Sequence, residues 1–287
     1  SNEDLFNMKS LADEVGGKAL CYSEVGGGAL TTKSGSYGKS GVGDAILVIG
    51  GDLYAEAPIF WLRAKQAADR GAKLIVATES ATRLDAFATT VVRDFKEGLK
   101  AAKKAFADAE NTVVLYSGDD ALAQSCADLN PTSLIGVWSD ANTQGAWEMG
   151  YEAISDLSAL KGKTVYVAGK DALVAAAVEA ADFVVAQTAS MTEASEKAGV
   201  TLPSQIASES DGTFTSAERR VQRFFSAVPP MGDALPGFVI TAQVAEKMGV
   251  TLDIDAEDVF SAFSDLSYAD LAKVSAEESL LIGGTCY

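Results

Sequence analysis

The sequence predicts an α/β fold of mostly parallel sheets flanked by helices, arranged as two Rossmann-like halves. Three observations predict it. Short runs rich in Val, Ile and Leu alternate with longer amphipathic runs, the pattern of repeated βα units. The short runs are apolar throughout rather than at every second residue, as strands covered on both faces require. Ala, Gly and Val are abundant while aromatic residues make up only 8%, a mix that lets helices approach a sheet closely.

Along the chain, strands are expected at 18–22, 44–49, 73–78, 112–117, 133–137, 164–168 and 182–186. Residues 26–43 are rich in Gly, Ser and Thr and read as a long loop. Pro58 suits the first turn of a helix, where its missing N–H is no loss, and Gly71 ends that helix after about Arg70. Phe95, Leu99, Ala102, Phe106 and Ala109 recur at alternating four- and three-residue intervals, so a helix over 94–109 turns one stripe to the sheet. Lys100, Lys103 and Lys104 fall outside that stripe and face water. An Ala-rich helix is expected at 172–181. Val228-Pro229-Pro230-Met231-Gly232 reads as a linker. Leu235, Phe238, Val239, Ala242, Ala245 and Met248 then form an amphipathic helix closed by Gly249. Short helical elements follow at 256–263 and 268–273. The expected division is 1–108 for the first α/β half, 109–230 for the second, and 231–287 for a C-terminal helical segment.

Composition narrows the function. With 287 residues the chain is long enough for a large core, and its net charge of −17 repels phosphate backbones, which argues against nucleic acid. There is no histidine, so Ser-His-Asp and Cys-His nucleophilic systems and imidazole metal sites are excluded. Cys21, Cys126 and Cys286 stand far apart without a CxxC, so no iron–sulfur or structural zinc site is encoded locally. No apolar run is long enough for a membrane span.

Four constellations invite a chemical reading. Gly38-Lys39-Ser40 is similar to the end of a P-loop, but Lys33 stands where the loop needs Gly, and a strand rather than a helix follows. Gly50, Gly51 and Asp52 end a strand just before a helix, the edge at which open α/β sheets bind anions; the alternative is the plain strand-to-helix turn that every such fold needs. Asn142 can cap a helix from Thr143, with Gln144 in its first turn and Trp147 one turn on; a ligand-facing loop is the alternative. Arg219, Arg220 and Arg223 cluster beside Glu218, fit either for an anion or for an ion-pair network. Glu193 and Glu196 lie on a helix face with no partner acid or metal and read as solvated.

Gly212-Thr213-Phe214-Thr215-Ser216-Ala217-Glu218-Arg219-Arg220-Val221-Gln222 resembles a signature of the molybdopterin-oxidoreductase superfamily, in the form closest to the large G subunit of NADH-quinone oxidoreductase, respiratory complex I. The Gly50–Asp52 turn with Glu56-Ala57-Pro58, the 70–76 stretch, Asn142-Thr143-Gln144-Gly145-Ala146, and Leu202-Pro203 resemble further family motifs in the family's order. In catalytic members the resemblance implies a molybdopterin-oxidoreductase-like fold cradling a bis-molybdopterin guanine dinucleotide. Gly50, Gly51, Asp52, Asn142 and Gln144 would then be a vestigial cofactor cradle. Gly212, Thr213, Glu218, Arg219, Arg220 and Gln222 would be a structural or interface motif. This sequence departs from catalytic members: Thr78-Glu79-Ser80 stands where they have Asp-Pro-Arg, and Ala57 where they have His.

The implied function is a scaffold-type domain supporting electron transfer from NADH to quinone. It has no catalytic residue, no metal ligand and no molybdopterin of its own, and iron–sulfur clusters sit in upstream segments. The implied partners are the other subunits of the complex, in the cytoplasm, with the inner membrane reached only through them. The alternatives are a fragment of a catalytic enzyme such as a formate dehydrogenase, and a stand-alone α/β module for a small anion.

Overall fold

The computed structural model describes residues 1–23, 25, 26 and 37–272. Cys286, the 27–36 stretch of the glycine-rich segment and the end of the element expected at 268–273 lie outside them. In chain order the strands are β1 (Leu20–Tyr22), β2 (Ala45–Ile49), β3 (Lys73–Ala77), β4 (Thr90–Val92), β5 (Thr112–Tyr116), β6 (Ser133–Gly136), β7 (Glu152–Ile154), β8 (Thr164–Ala168), β9 (Phe183–Thr188), β10 (Val200–Pro203), β11 (Gly212–Thr215) and β12 (Val221–Phe224). The helices are α1 (Asn2–Glu14), α2 (Leu53–Glu56), α3 (Pro58–Asp69), α4 (Phe95–Phe106), α5 (Asp120–Ala127), α6 (Thr143–Glu148), α7 (Asp171–Ala180), α8 (Glu193–Glu196), α9 (Gly237–Lys247) and α10 (Ala256–Phe263).

The chain forms two compact units, and their limits differ from the expected halves. One unit comprises Ser23–Glu148 with Thr215–Arg220. Its five-stranded sheet has the order β4-β3-β2-β5-β6, with every pairing parallel. The expected boundary at 108 therefore falls inside one sheet, because β5 and β6 complete the Rossmann-like order begun by β2, β3 and β4. β2 is central and wholly buried, and its alternating side chains serve both faces. Ile46 and Val48 pack with Ala64 and Ala67 of α3. Leu47 and Ile49 pack with Ala102 of α4 and with Ala123 and Cys126 of α5. Gly98 lets α4 touch the sheet, since a Cβ there would lie 2.3 Å from the Cβ of Ala77.

The other unit comprises Ser1–Tyr22, Met149–Phe214 and the chain from Val221 onward. It holds a three-stranded parallel sheet in the order β10-β9-β8, a parallel β1-β7 pair, and the β11-β12 hairpin. β1, expected in the first half, pairs with β7 instead. β4, β7, β10 and β12 leave no sign in the sequence, because these three- and four-residue strands are half-exposed and carry no long apolar run. The expected linker at 228–232 is pinned: Ala227 and Val228 both donate backbone N–H groups to Ser208 O, at 2.7 and 3.0 Å. α1 also went unexpected. Its inward stripe is Glu3, Asn7 and Leu11, so the buried face is largely polar and carries no hydrophobic period. Asn7 Nδ2 secures it by donating to Phe238 O and Asp253 O, each at 3.0 Å.

Candidate functional site

In the five-stranded sheet the order turns back between β2 and β5, so the C-terminal ends of these strands flank the crevice where such sheets bind ligands. Gly50 sits there with φ of +98°. Its N–H donates to Ala77 O at 3.0 Å, and a Cβ would lie 1.7 Å from Ser117 O. Gly50 is thus required by close strand packing. Beside it, the Glu56 carboxylate fills the space over Gly51, 2.3 Å from where a Cβ would stand. Glu56 Oε1 accepts the Asp52 N–H at 2.9 Å, and Asp52 Oδ1 caps α2 by accepting from Tyr54 N at 3.0 Å. At the end of β5, Gly26 donates its N–H to Gly118 O at 2.9 Å, and Asp119 accepts from Leu122 N at 2.9 Å.

This arrangement tests the pterin dinucleotide that the family resemblance implies. The N–H groups of Asp52, Tyr54 and Leu122 are taken by carboxylates and those of Gly50 and Gly26 by backbone carbonyls, while Asp52, Glu56 and Asp119 present negative charge to an anion. The β2 turn does not fit that group.

The second constellation lies at the end of β6. Asn142 does not cap α6 with its side chain, as the sequence suggests. Its Oδ1 accepts Thr215 N at 2.8 Å, while Nδ2 is buried without a hydrogen-bond partner among the described residues. Gln144 is buried, takes Trp138 Nε1–H at 3.1 Å and donates to Glu148 Oε1 at 2.8 Å. Glu148 in turn holds Arg219 through both of its oxygens, with Arg219 Nη2 at 2.7 Å from Oε2. Asn142 and Gln144 are therefore brought together with the signature loop, and Gly50, Gly51 and Asp52 stand apart at the β2 end.

The signature itself is a hairpin rather than a turn leading into a charged run. Gly212 and Thr213 are buried on β11, and Gln222 is half-buried on β12. Between the strands the loop closes through Ser216 N to Arg220 O, 2.9 Å, and Arg220 is half-buried. Arg219 adopts φ of +59°, a left-handed backbone uncommon for a non-glycine residue. Glu218, near enough in sequence to pair with an adjacent arginine, binds Arg63 of α3 at 2.7 Å instead. No sequence signal pointed to Arg63. Burial and the Glu218 charge together push the nearby Tyr37 phenol well above its usual range. Arg223 lies against the Tyr268 ring, 3.8 Å from its centroid.

At the start of the hairpin, Glu3 is fully buried and accepts from Thr213 N at 2.9 Å and Thr213 Oγ1 at 2.8 Å. Burial raises the Glu3 pKa above its ordinary 4.5, and the Thr213 bonds only partly oppose this. Its contribution to stability is therefore fully present below the unfolded value and is lost as pH rises through the raised folded value. Glu3→Gln is expected to remove this loss. Its melting temperature relative to wild type should climb as pH is raised from about 4 to about 8. Parallel melting curves across that range would sink the assignment.

Other expected candidates are structural. Gly38 and Ser40 carbonyls accept from Arg70 Nη2 and Nε, at 2.9 and 2.8 Å, so the P-loop-like tripeptide ties a loop to α3's end. Glu193 pairs with Lys197 at 2.8 Å on an exposed face. Burial pushes the Cys126 thiol up to about 12, far from a reactive thiolate. Among the described residues no group of three or more carboxylates and thiolates is placed to hold a metal, and no helix is long and apolar enough to cross a membrane. A cleft of about 220 Å³ beside Glu79 is lined by Arg93, Asp94, Phe95 and Lys96. That is small for an organic cofactor. Arg93, which donates to Thr78 Oγ1 at 3.1 Å and pairs with Asp85, escaped notice because no motif contains it.

Residues 120–247 match the molybdopterin oxidoreductase family. The chain is 38% identical over 113 residues to the alpha subunit of formate dehydrogenase 2 of Methanococcus maripaludis, covering 37% of this chain and 17% of that protein. It is 37% identical over 116 residues to a putative formate dehydrogenase of Bacillus subtilis, covering 37% of this chain and 12% of that protein. It thus spans less than a fifth of the length of the curated relatives it matches. The structure of acetylene hydratase from Pelobacter acetylenicus aligns over 94% of this chain and 62% of its own, with a TM-score of 0.49 and 12% identity. The match to the molybdopterin oxidoreductase family is confined to residues 120–247, less than half of the chain.

Proposed function

We propose that the chain is part of a formate-dehydrogenase-type molybdopterin oxidoreductase, in which its two α/β units serve as frame and the redox centre is held by residues elsewhere. The observation that carries the enzyme class is identity above a third with two formate dehydrogenases over 113 and 116 residues. The frame role is supported by the β2 turn, where Glu56 occupies the position a phosphate would need.

That same turn favours a second reading, the large G subunit of an NADH-quinone oxidoreductase. Such a subunit needs no pterin here, passes electrons from NADH to quinone through clusters outside this chain, and has the other subunits of the complex as partners.

The two readings separate in the full-length subunit purified with its partners. Formate-driven, NADH-independent reduction of an artificial acceptor is expected from the first; NADH-driven, formate-independent reduction transfers the assignment to the second. For the frame role, millimolar GMP is expected to move the melting temperature of this chain by less than about 1 °C. A clear, saturable stabilisation would overturn it.

A further inference from the structure

The loop from Phe225 to Leu235 displays apolar side chains to solvent in a fixed arrangement. Met231 is 81% exposed, Phe225 52%, Val228 49% and Leu235 36%, and Ile206 on the adjoining segment is 49% exposed. These residues belong to one surface. Val228 N bonds to Ser208 O at 3.0 Å on one side of Ile206, and Gln205 N bonds to Leu235 O at 2.9 Å on the other. Gln205 Nε2 adds a bond to Ala234 O at 3.1 Å, and Ser226 N one to Asp211 Oδ1 at 3.2 Å. Pro229 and Pro230 stiffen the crest, so little freedom is left to lose on contact. Five exposed apolar side chains on one pinned loop pair are unusual for a solvated surface.

The charge along the two stretches that carry the patch is of one sign. Glu209, Asp211 and Asp233 flank the apolar residues, and neither 198–218 nor 224–246 contains a lysine or arginine. Arg223, the nearest cation along the chain, is held between the Phe225 and Tyr268 rings. A second copy of this chain would bring acidic rim against acidic rim, on molecules already at −17 each.

We propose that this surface docks a different protein whose contact face has an apolar centre ringed by lysine and arginine. The apolar crest supplies contact area, and the acidic rim supplies orientation and partner choice. This does not depend on which enzyme class the chain belongs to.

The test uses the full-length subunit in its native cell extract, with Met231 replaced by photoreactive benzoylphenylalanine. Irradiation is expected to give one adduct to another protein, through a peptide carrying Lys or Arg beside apolar residues. Adding Val228→Asp is expected to cut its yield by about tenfold, because a carboxylate would be buried at the contact. Ile206→Asp, on the neighbouring segment, should repeat that loss, so the result does not hang on one variant's folding. Raising salt to about 0.5 M should lower the yield several-fold. Four outcomes would each overturn the proposal: no adduct, an adduct within the same polypeptide or to a second copy, an adduct to an acidic face, or a yield unchanged by both aspartates.

Discussion

Gly50→Ala is expected to cost the five-stranded unit roughly 3–5 kcal/mol, a large share of the ~5–15 kcal/mol that holds a typical domain together. Two terms add. The backbone at φ +98° strains any side chain, and the new Cβ would stand 1.7 Å from Ser117 O. That oxygen belongs to the backbone just beyond β5, so it cannot swing aside. β2 and β5 must part, and with them the ladder in which Ile49 faces Tyr116. Gly249→Ala separates the terms. Its φ is +84°, yet nothing lies within 4 Å of the Cβ it would gain, so only the conformational cost of about 1 kcal/mol applies. Urea unfolding of the two variants measures the difference, and equal losses would show that strand contact is not what demands Gly50.

The second large effect lies at Arg63. Arg63→Met strands the Glu218 carboxylate, which is 7% exposed and has its other oxygen already without a partner among the described residues. The expected loss is about 2–3 kcal/mol, below the range for a fully enclosed pair because Arg63 keeps 19% exposure. Arg63→Met with Glu218→Gln should recover most of it, since no buried charge is then left alone. The readout is chemical denaturation of both single variants and the double variant. Additive losses would mean that the pair does not anchor the signature loop. Amide exchange at Ser216 and Arg219 should quicken in Arg63→Met, as the loop is released before the sheet unfolds.

These two sites show unequal legibility. Gly50 was visible as a glycine ending an apolar strand, and the sequence placed that turn correctly. Its reason was not visible, because the clash that requires it involves Ser117, far along the chain. Glu218 was visible as part of a motif, but only the adjacent arginines stood within pairing reach along the sequence. Local spacing favours near neighbours, whereas α3 brings Arg63 closer in space. Asn142 shows the same limit: its side chain looked like a helix cap and instead accepts from Thr215.

What the sequence determined by itself is the α/β class, the central strands and the helices α3, α4, α7 and α9. Their apolar runs and stripes report burial by the elements that follow them directly in the chain. Tertiary structure alone decided three things. It put β1 beside β7, it bounded the units across residue 108, and it turned the polar stripe of Glu3 and Asn7 inward. Each of these depends on contacts between residues distant in sequence, where burial is satisfied by hydrogen bonds rather than by apolar periodicity. A one-dimensional pattern carries no record of such contacts.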